Sequence, residues 1–277
     1  MDVDTLVRWL SPSKVAMLGR CEHQFFRHYL LGENKPPSAA MAFGSAFDDA
    51  VSNGCMEGIA SGEVTKADSL KEIFQWTWEM GQLEVEDWRD EKPGPMLDQG
   101  VALIGNWREK IGEGIHPTSV QARLKRDFPD TGWGVEGVVD VTFCRDSGPE
   151  IVADTKTTAR AWRSADARAL KKTPAKAFSS LQVPCYSILT GLPVFEFHVC
   201  TRGKRPDIDV IQVPIVGQKW KEGYLAIVAR ARQKIKDCAA SGSWMPTAWM
   251  SGHFLCSRRW CGWWKICEET FGGTRPE

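Results

Sequence analysis

The stretch GVEGVVDVTFCRDSGPEIVADTK, residues Gly134 to Lys156, decides how this chain is read. Two runs rich in valine and isoleucine flank the turn triplet Asp146-Ser147-Gly148, a pattern that predicts two strands folded back on each other. A further strand-like run precedes them, so the expectation is a three-strand meander over 119–128, 134–145 and 150–156. Side chains alternate along a strand, and Asp154 and Lys156 therefore emerge on one face. The meander can set Asp140 beside Asp154. Two neighbouring carboxylates repel unless a cation lies between them, and hard oxygen ligands suit Mg²⁺ or Mn²⁺. A lysine beside such an ion can orient the attacking water and stabilise charge developing on phosphorus. Alone, Asp-x-Lys is a weak signal, because a surface ion pair at a strand end is spelled the same way.

Working outward, Ser11-Pro12-Ser13 marks a helix start, and Val15, Leu18, Phe25 and Tyr29 follow at helical spacing. A turn over 32–38 leads to a second helix over 41–58. An acidic, tryptophan-bearing helical region then runs to about 110, broken near Pro93-Gly94-Pro95. Beyond the meander come a helix over 177–191, strands over 193–201 and 207–213, and an amphipathic helix over 220–238. This order predicts an α/β fold, a mixed central sheet flanked by helices. The expected organisation is an N-terminal helical segment over 1–40 and a core over 41–240 carrying an acidic helical insert near 60–115. A tail rich in Trp, Gly and Cys follows over 241–277.

The 277 residues are 43% hydrophobic and 25% charged, a globular composition. No apolar run at the start suits a signal peptide and none is long enough to span a bilayer. The expectation is a reducing cytoplasm, that of a host if the chain is phage-encoded, and no membrane partner. Net charge is zero, but its distribution is bipolar. Seven Lys/Arg face the single Asp166 over 156–176, and eleven acidic residues outnumber four basic ones over 57–98. Arg160, Arg163, Lys171 and Lys172 are candidate contacts for a polyanion. Solvated helical faces account for the same charges equally well.

Gln182 and Tyr186 are four apart, share a helix face and can both hydrogen-bond a phosphate or base edge. A buried tyrosine with a local amide partner is the plainer account of that pair. Phe43-Gly44-Ser45-Ala46-Phe47-Asp48-Asp49 opens a helix whose small residues allow close backbone approach. Asp48, or else Asp49, could supply a third acidic ligand. Cys256, Cys261 and Cys267, in a Trp- and Gly-bearing loop, suggest thiolate ligation rather than disulfides. Cys55, Cys144, Cys185, Cys200 and Cys238 sit in apolar or helical contexts and read as core residues. Trp260, Trp263 and Trp264 suit shielding of a metal group, with base stacking as a lesser alternative.

Taken in order, these motifs resemble the PD-(D/E)XK nucleases of RecB/AddB type, which include the iron–sulfur exonucleases of CRISPR adaptation and many phage exonucleases. The matching positions are Ser13 with Cys21, Gly44 with Asp48, Gly137 with Asp140, Asp154 with Lys156, and Gln182 with Tyr186. Where the family usually has a metal-binding histidine, this chain has Asp48. The resemblance covers most of the chain except the acidic insert, and it implies a restriction-endonuclease-like fold. It implies a Mg²⁺- or Mn²⁺-dependent exonuclease acting on DNA, single-stranded or with free ends. Asp48, Asp140, Asp154 and the carbonyl of Thr155 would hold the ion, Lys156 would place the water, and Gln182 and Tyr186 would fix the substrate. It further implies a 4Fe-4S cluster on Cys21, Cys256, Cys261 and Cys267. Zinc remains the competing metal there, with His23 or His253 able to replace one cysteine. A role in recombination, repair or phage DNA processing follows, with an annealing or helicase partner. A structure-specific endonuclease and a non-catalytic DNA-binding subunit are the rival readings.

Overall fold

The computed structural model describes residues 2–146, 148–164, 167–168, 172–247, 256–257 and 261–271. The helices are α1 (Val3–Arg8), α2 (Pro12–Arg20), α3 (Glu22–Phe25), α4 (Ala39–Ser61), α5 (Ala67–Gly81), α6 (Pro93–Lys110), α7 (Ala175–Phe178), α8 (Gln182–Thr190), α9 (Gln218–Ser241) and α10 (Trp264–Phe271). The strands are β1 (Trp9–Leu10), β2 (His116–Phe128), β3 (Trp133–Cys144), β4 (Ile151–Thr158), β5 (Phe195–Thr201) and β6 (Asp207–Val213). They join in the order β1-β3-β4-β5-β6, with β2 also paired to β3. β3 and β4 are antiparallel (Val141 opposite Ala153), β4 and β5 parallel (Asp154 opposite Phe197), β5 and β6 antiparallel. The result is an α/β fold with a mixed, open sheet. Among the described residues, no helix is long and apolar enough to cross a membrane.

The chain divides into two compact units: Met1–Lys35, Lys125–Glu136 and Glu222–Glu277 make one, Pro36–Leu124 and Gly137–Lys221 the other. These cuts fall elsewhere than the expected 1–40, 41–240 and 241–277. In the second unit, α4 begins where Ser38 Oγ accepts from the Met41 amide (3.3 Å), and it ends at Gly62 in the left-handed region. Phe43, Phe47, Ala50 and Val51 share its buried face and meet Phe74 and Trp78 of α5 and Leu103, Ile104 and Trp107 of α6. Each large side chain so buried contributes roughly 1.5–3 kcal/mol. Glycines let the helices close up: a Cβ on Gly100 would lie 1.9 Å from the Phe74 ring. The same core continues onto Val141, Phe143 and Ala153 of the sheet. Thus the acidic helices cover sheet residues with their apolar side.

The helical region breaks as expected just before Pro93-Gly94-Pro95, and Pro93 itself starts α6, because proline fits a first turn, where its missing N–H is not needed. One local expectation changes. The helix expected over 177–191 is two helices, separated at Ser179-Ser180, where Ser180 Oγ accepts from the Gln182 amide. In the first unit, β1 pairs in parallel with Gly134 and Val135. Cys21 takes an extended conformation between α2 and α3 (φ −161°, ψ 116°), and a π-helical turn follows over Phe26–Leu30.

Candidate active site

Asp154 leaves the middle of β4 and is completely buried. Its Oδ1 accepts a 2.6 Å hydrogen bond from Gln182 Nε2, and its Oδ2 forms a 2.6 Å ion pair with Lys156 Nζ. Gln182 Nε2 also reaches Tyr186 Oη at 3.3 Å. The expected pair on α8 is therefore present, but it faces Asp154 and not an open surface. Gly137 explains how the tyrosine comes so near, since a Cβ there would stand 2.9 Å from Tyr186 Cε1. Burial raises the Tyr186 phenol well above its usual range, so it stays protonated.

Asp140, on β3, accepts from the Thr155 amide at 3.2 Å. In an extended strand one residue's N–H and C=O point the same way. The Thr155 carbonyl accordingly points toward the Asp140 side. Asp48 arrives from α4, where Gly44 permits close approach to β4: a Cβ there would lie 3.2 Å from Thr157 Oγ1. Asp49 is exposed, whereas Asp48 is mostly buried and interacts electrostatically with Asp154 and Lys156. Of the two adjacent aspartates, Asp48 is the one turned to the site.

All three carboxyls hold protons more tightly than free aspartate. Burial pushes Asp48 up to about 6, with the charges of Asp49 and Asp154 adding to it. Burial and the charges of Asp154 and Asp48 lift Asp140 well above its usual range. Burial likewise raises Asp154, against the opposing pull of Lys156. Burial works to lower the Lys156 ammonium, but Asp154 and Asp140 outweigh it and keep the lysine charged. Among the described residues, no three Asp, Glu, His or Cys side chains stand close enough to hold a metal ion as they are. The donor set fits a hard divalent ion nonetheless: crowded carboxylates gain most from an added positive charge, and Lys156 is the cation paired with Asp154 here.

One contributor had no sequence signal. Gln121, inside β2, has φ +49°, a left-handed conformation that costs a non-glycine residue about 1–2 kcal/mol. The distortion directs Gln121 Nε2 to Asp48 Oδ2 (2.9 Å) and to Ser52 Oγ (3.0 Å). A bend that re-aims a strand side chain at a site is a known device. The pairing of Lys176, the last cation of the basic segment, with Trp162 had no sequence signal either: the ammonium lies 4.4 Å from the indole centroid, and Trp162 packs on Phe197, the register partner of Asp154.

The basic segment is less free than its composition suggested. Arg163 binds both carboxylate oxygens and the backbone beside it, Asp209 on β6 and the Val210 carbonyl (3.1 Å), and Arg168 pairs with Asp207. Arg163 is thereby a brace between loop and strand, its charge already matched by an acid that lies far off in sequence. Arg160 and Lys172 are exposed. Lys171 lies outside the described residues, as do His253 and Trp260.

In the first unit, burial raises the Cys261 and Cys267 thiols, Cys267 to about 12. Cys267 also feels Cys261, Cys21 and Cys256, and Cys261 feels Cys21, but among the described residues no three of these thiols stand close enough to hold a metal as they are. All are free of disulfides. Trp263 and Trp264 are buried, and Lys35 Nζ stands 5.8 Å from the Trp263 ring centroid. Cys55, Cys185, Cys200 and Cys238 are buried as core residues, and Cys144 is partly exposed. His23 Nδ1 lies 3.2 Å from the Trp244 carbonyl.

Comparison with known proteins agrees with this geometry. Residues 9–268 match the model of the PD-(D/E)XK nuclease superfamily, and the chain belongs to that superfamily. A solved structure titled "Putative exonuclease", from Eubacterium rectale, superposes with a TM-score of 0.55 at 14% identity, covering 100% of this chain and 93% of that one. A second, titled SSO0001, reaches a TM-score of 0.39 at 14% identity over 95% of this chain and 86% of its own, too low to support a shared fold. No curated protein matches the chain.

Proposed function

We propose that this protein is a divalent-metal-dependent exonuclease that hydrolyses phosphodiester bonds at the ends of DNA, chiefly single-stranded. The observation that carries the reading is the junction of Asp48, Asp140 and Asp154 with Lys156 in a member of a nuclease superfamily. Asp48, Asp140, Asp154 and the Thr155 carbonyl would hold Mg²⁺ or Mn²⁺, which when bound lowers the pKa of water and offsets charge on the phosphate. Lys156 holds a positive charge beside the reacting phosphate and orients the water. Gln182 fixes the rotamer of Asp154, and Tyr186 fixes Gln182, so both act by positioning. Gln121 does the same for Asp48. Arg160, Lys172 and, from its place in sequence, Lys171 contact the DNA backbone; Arg163 braces the loop that carries them.

The thiols of Cys21, Cys256, Cys261 and Cys267 bind a 4Fe-4S cluster in this reading, with zinc as the alternative. What supports it is the electrostatic influence of Cys261, Cys21 and Cys256 on Cys267; among the described residues no three of these thiols stand close enough to hold a metal as they are. A place in recombination, repair or phage DNA processing, in the cytoplasm and with an annealing or helicase partner, follows from the resemblance alone.

The test is anaerobic purification and digestion of end-labelled linear strands against covalently closed single-stranded circles. Mg²⁺- or Mn²⁺-dependent loss of linear DNA with circles intact is expected. Cutting of circles would remove the exonuclease assignment, and metal-dependent activity undiminished in Asp154→Asn would sink the site. Iron with a brown colour bleached by reductant is expected in the same preparation, whereas a colourless zinc protein would overturn the cluster.

A further inference from the structure

Outside the carboxylate site, the second unit carries a cationic and aromatic ledge that the hydrolytic mechanism does not use. It starts at Trp162, which packs on Phe197 at 5.1 Å between ring centroids, in register with Asp154 on the adjoining strand. Lys176 Nζ lies over Trp162 at 4.4 Å. Two residues on, Phe178 ends α7 with 47% of its surface exposed. Its neighbour is Trp220 at the start of α9, with ring centroids 6.0 Å apart and planes tilted by 31°. Only the short link Ser179 to Leu181 separates Phe178 from Gln182, which holds Asp154. The ledge is thus tethered at both ends to the site, by β5 on one side and by α8 on the other.

Exposed aromatic faces are sequence-tolerant platforms for bases, and an adjacent ammonium tracks the phosphates. Paired bases keep their faces within the duplex and cannot use such a platform. We infer that Phe178 and Trp220 stack unpaired bases of a DNA strand whose phosphates run along Lys176 toward Lys156, making a single strand the form of DNA that the site receives. The electrostatic influence of Lys156 on Lys176 agrees with this path, since burial and then Lys156 lower the Lys176 ammonium. The inference rests on the nuclease reading of the site for its substrate class, DNA. Its own content is separate: base recognition without hydrogen bonds, at a place distinct from the carboxylates.

Binding tests it without turnover. Fluorescence anisotropy in EDTA compares a labelled oligothymidylate of about a dozen nucleotides with an abasic strand of equal length and charge. The full chain should bind the base-bearing strand more tightly. In Phe178→Ala/Trp220→Ala that preference should shrink about tenfold, the scale of losing base stacking on alanine substitution. Phe178→Tyr/Trp220→Phe should keep it, which separates stacking from a folding defect. An unchanged preference in the alanine variant, or no preference in the wild type, overturns the ledge while leaving the hydrolytic assay to decide the nuclease reading independently.

Discussion

Three clustered carboxylates and a single one in the same unit behave in opposite ways. Asp48, Asp140 and Asp154 crowd together, and their carboxyls are all raised. Glu196, one strand away on β5 and as fully buried as Asp154, is held down at about 2. Burial alone would raise it. The nearby His198 ring (3.6 Å) and the two-point grip of Arg145 (2.7 and 2.9 Å) reverse that effect, and Gln212 adds a 3.3 Å bond. Glu196 is thus satisfied by its own neighbours, while the aspartates have one lysine among three acids. A buried acid whose partners are complete supports the fold, and one left short of positive charge is available to bind a cation.

The contrast predicts a division of effects. Asp154→Asn should lower metal-dependent digestion by about a thousandfold, as loss of a preorganised electrostatic group does, while its melting temperature in EDTA stays close to wild type. A variant that digests normally, or that unfolds, would erase the distinction. Arg145→Ala should do the reverse. It removes the two-point grip on buried Glu196 and should cost about 3–5 kcal/mol of stability in denaturant titrations near pH 7. Gln182→Ala removes a support of Asp154, not a ligand, and should weaken apparent metal affinity or turnover by about 10–100-fold. A Gln182→Glu replacement, which adds a fourth acid, should be no better, and full activity in either would deny the positioning role.

The smallest effect is in pH. Glu196 has a folded-state pKa below its usual value of 4.5, so its contribution is fully present above 4.5 and is lost as pH falls toward 2. The stability gap between wild type and Arg145→Ala should therefore narrow on acidification below about 4.5. A gap that stays constant from pH 6 to pH 3, read by denaturant midpoints, would mean that the pair does not titrate as a unit.

Most of the fold was legible because it is local. Alternation over 134–156 placed Asp140, Asp154 and Lys156 on neighbouring strands, and helical spacing joined Gln182 to Tyr186. What stayed hidden depends on long-range partners or on backbone outliers. Arg163 looked free until Asp209, 46 residues later, came beside it. Gln121 carries no glycine-like signal of its left-handed turn, and Phe178 gains meaning only from Trp220. The choice between Asp48 and Asp49 needed the packing of α4 on β4, which no spacing rule contains.

The first unit is discontinuous, drawn from three stretches of the chain that end with Glu222–Glu277. During synthesis the second unit has all its residues once Lys221 has emerged, but the first cannot close until the final stretch follows. Within that unit Cys21 is made long before Cys256, Cys261 and Cys267. Truncation between Lys221 and Cys256 would leave every residue of the second unit in place and its companion unit unfinished.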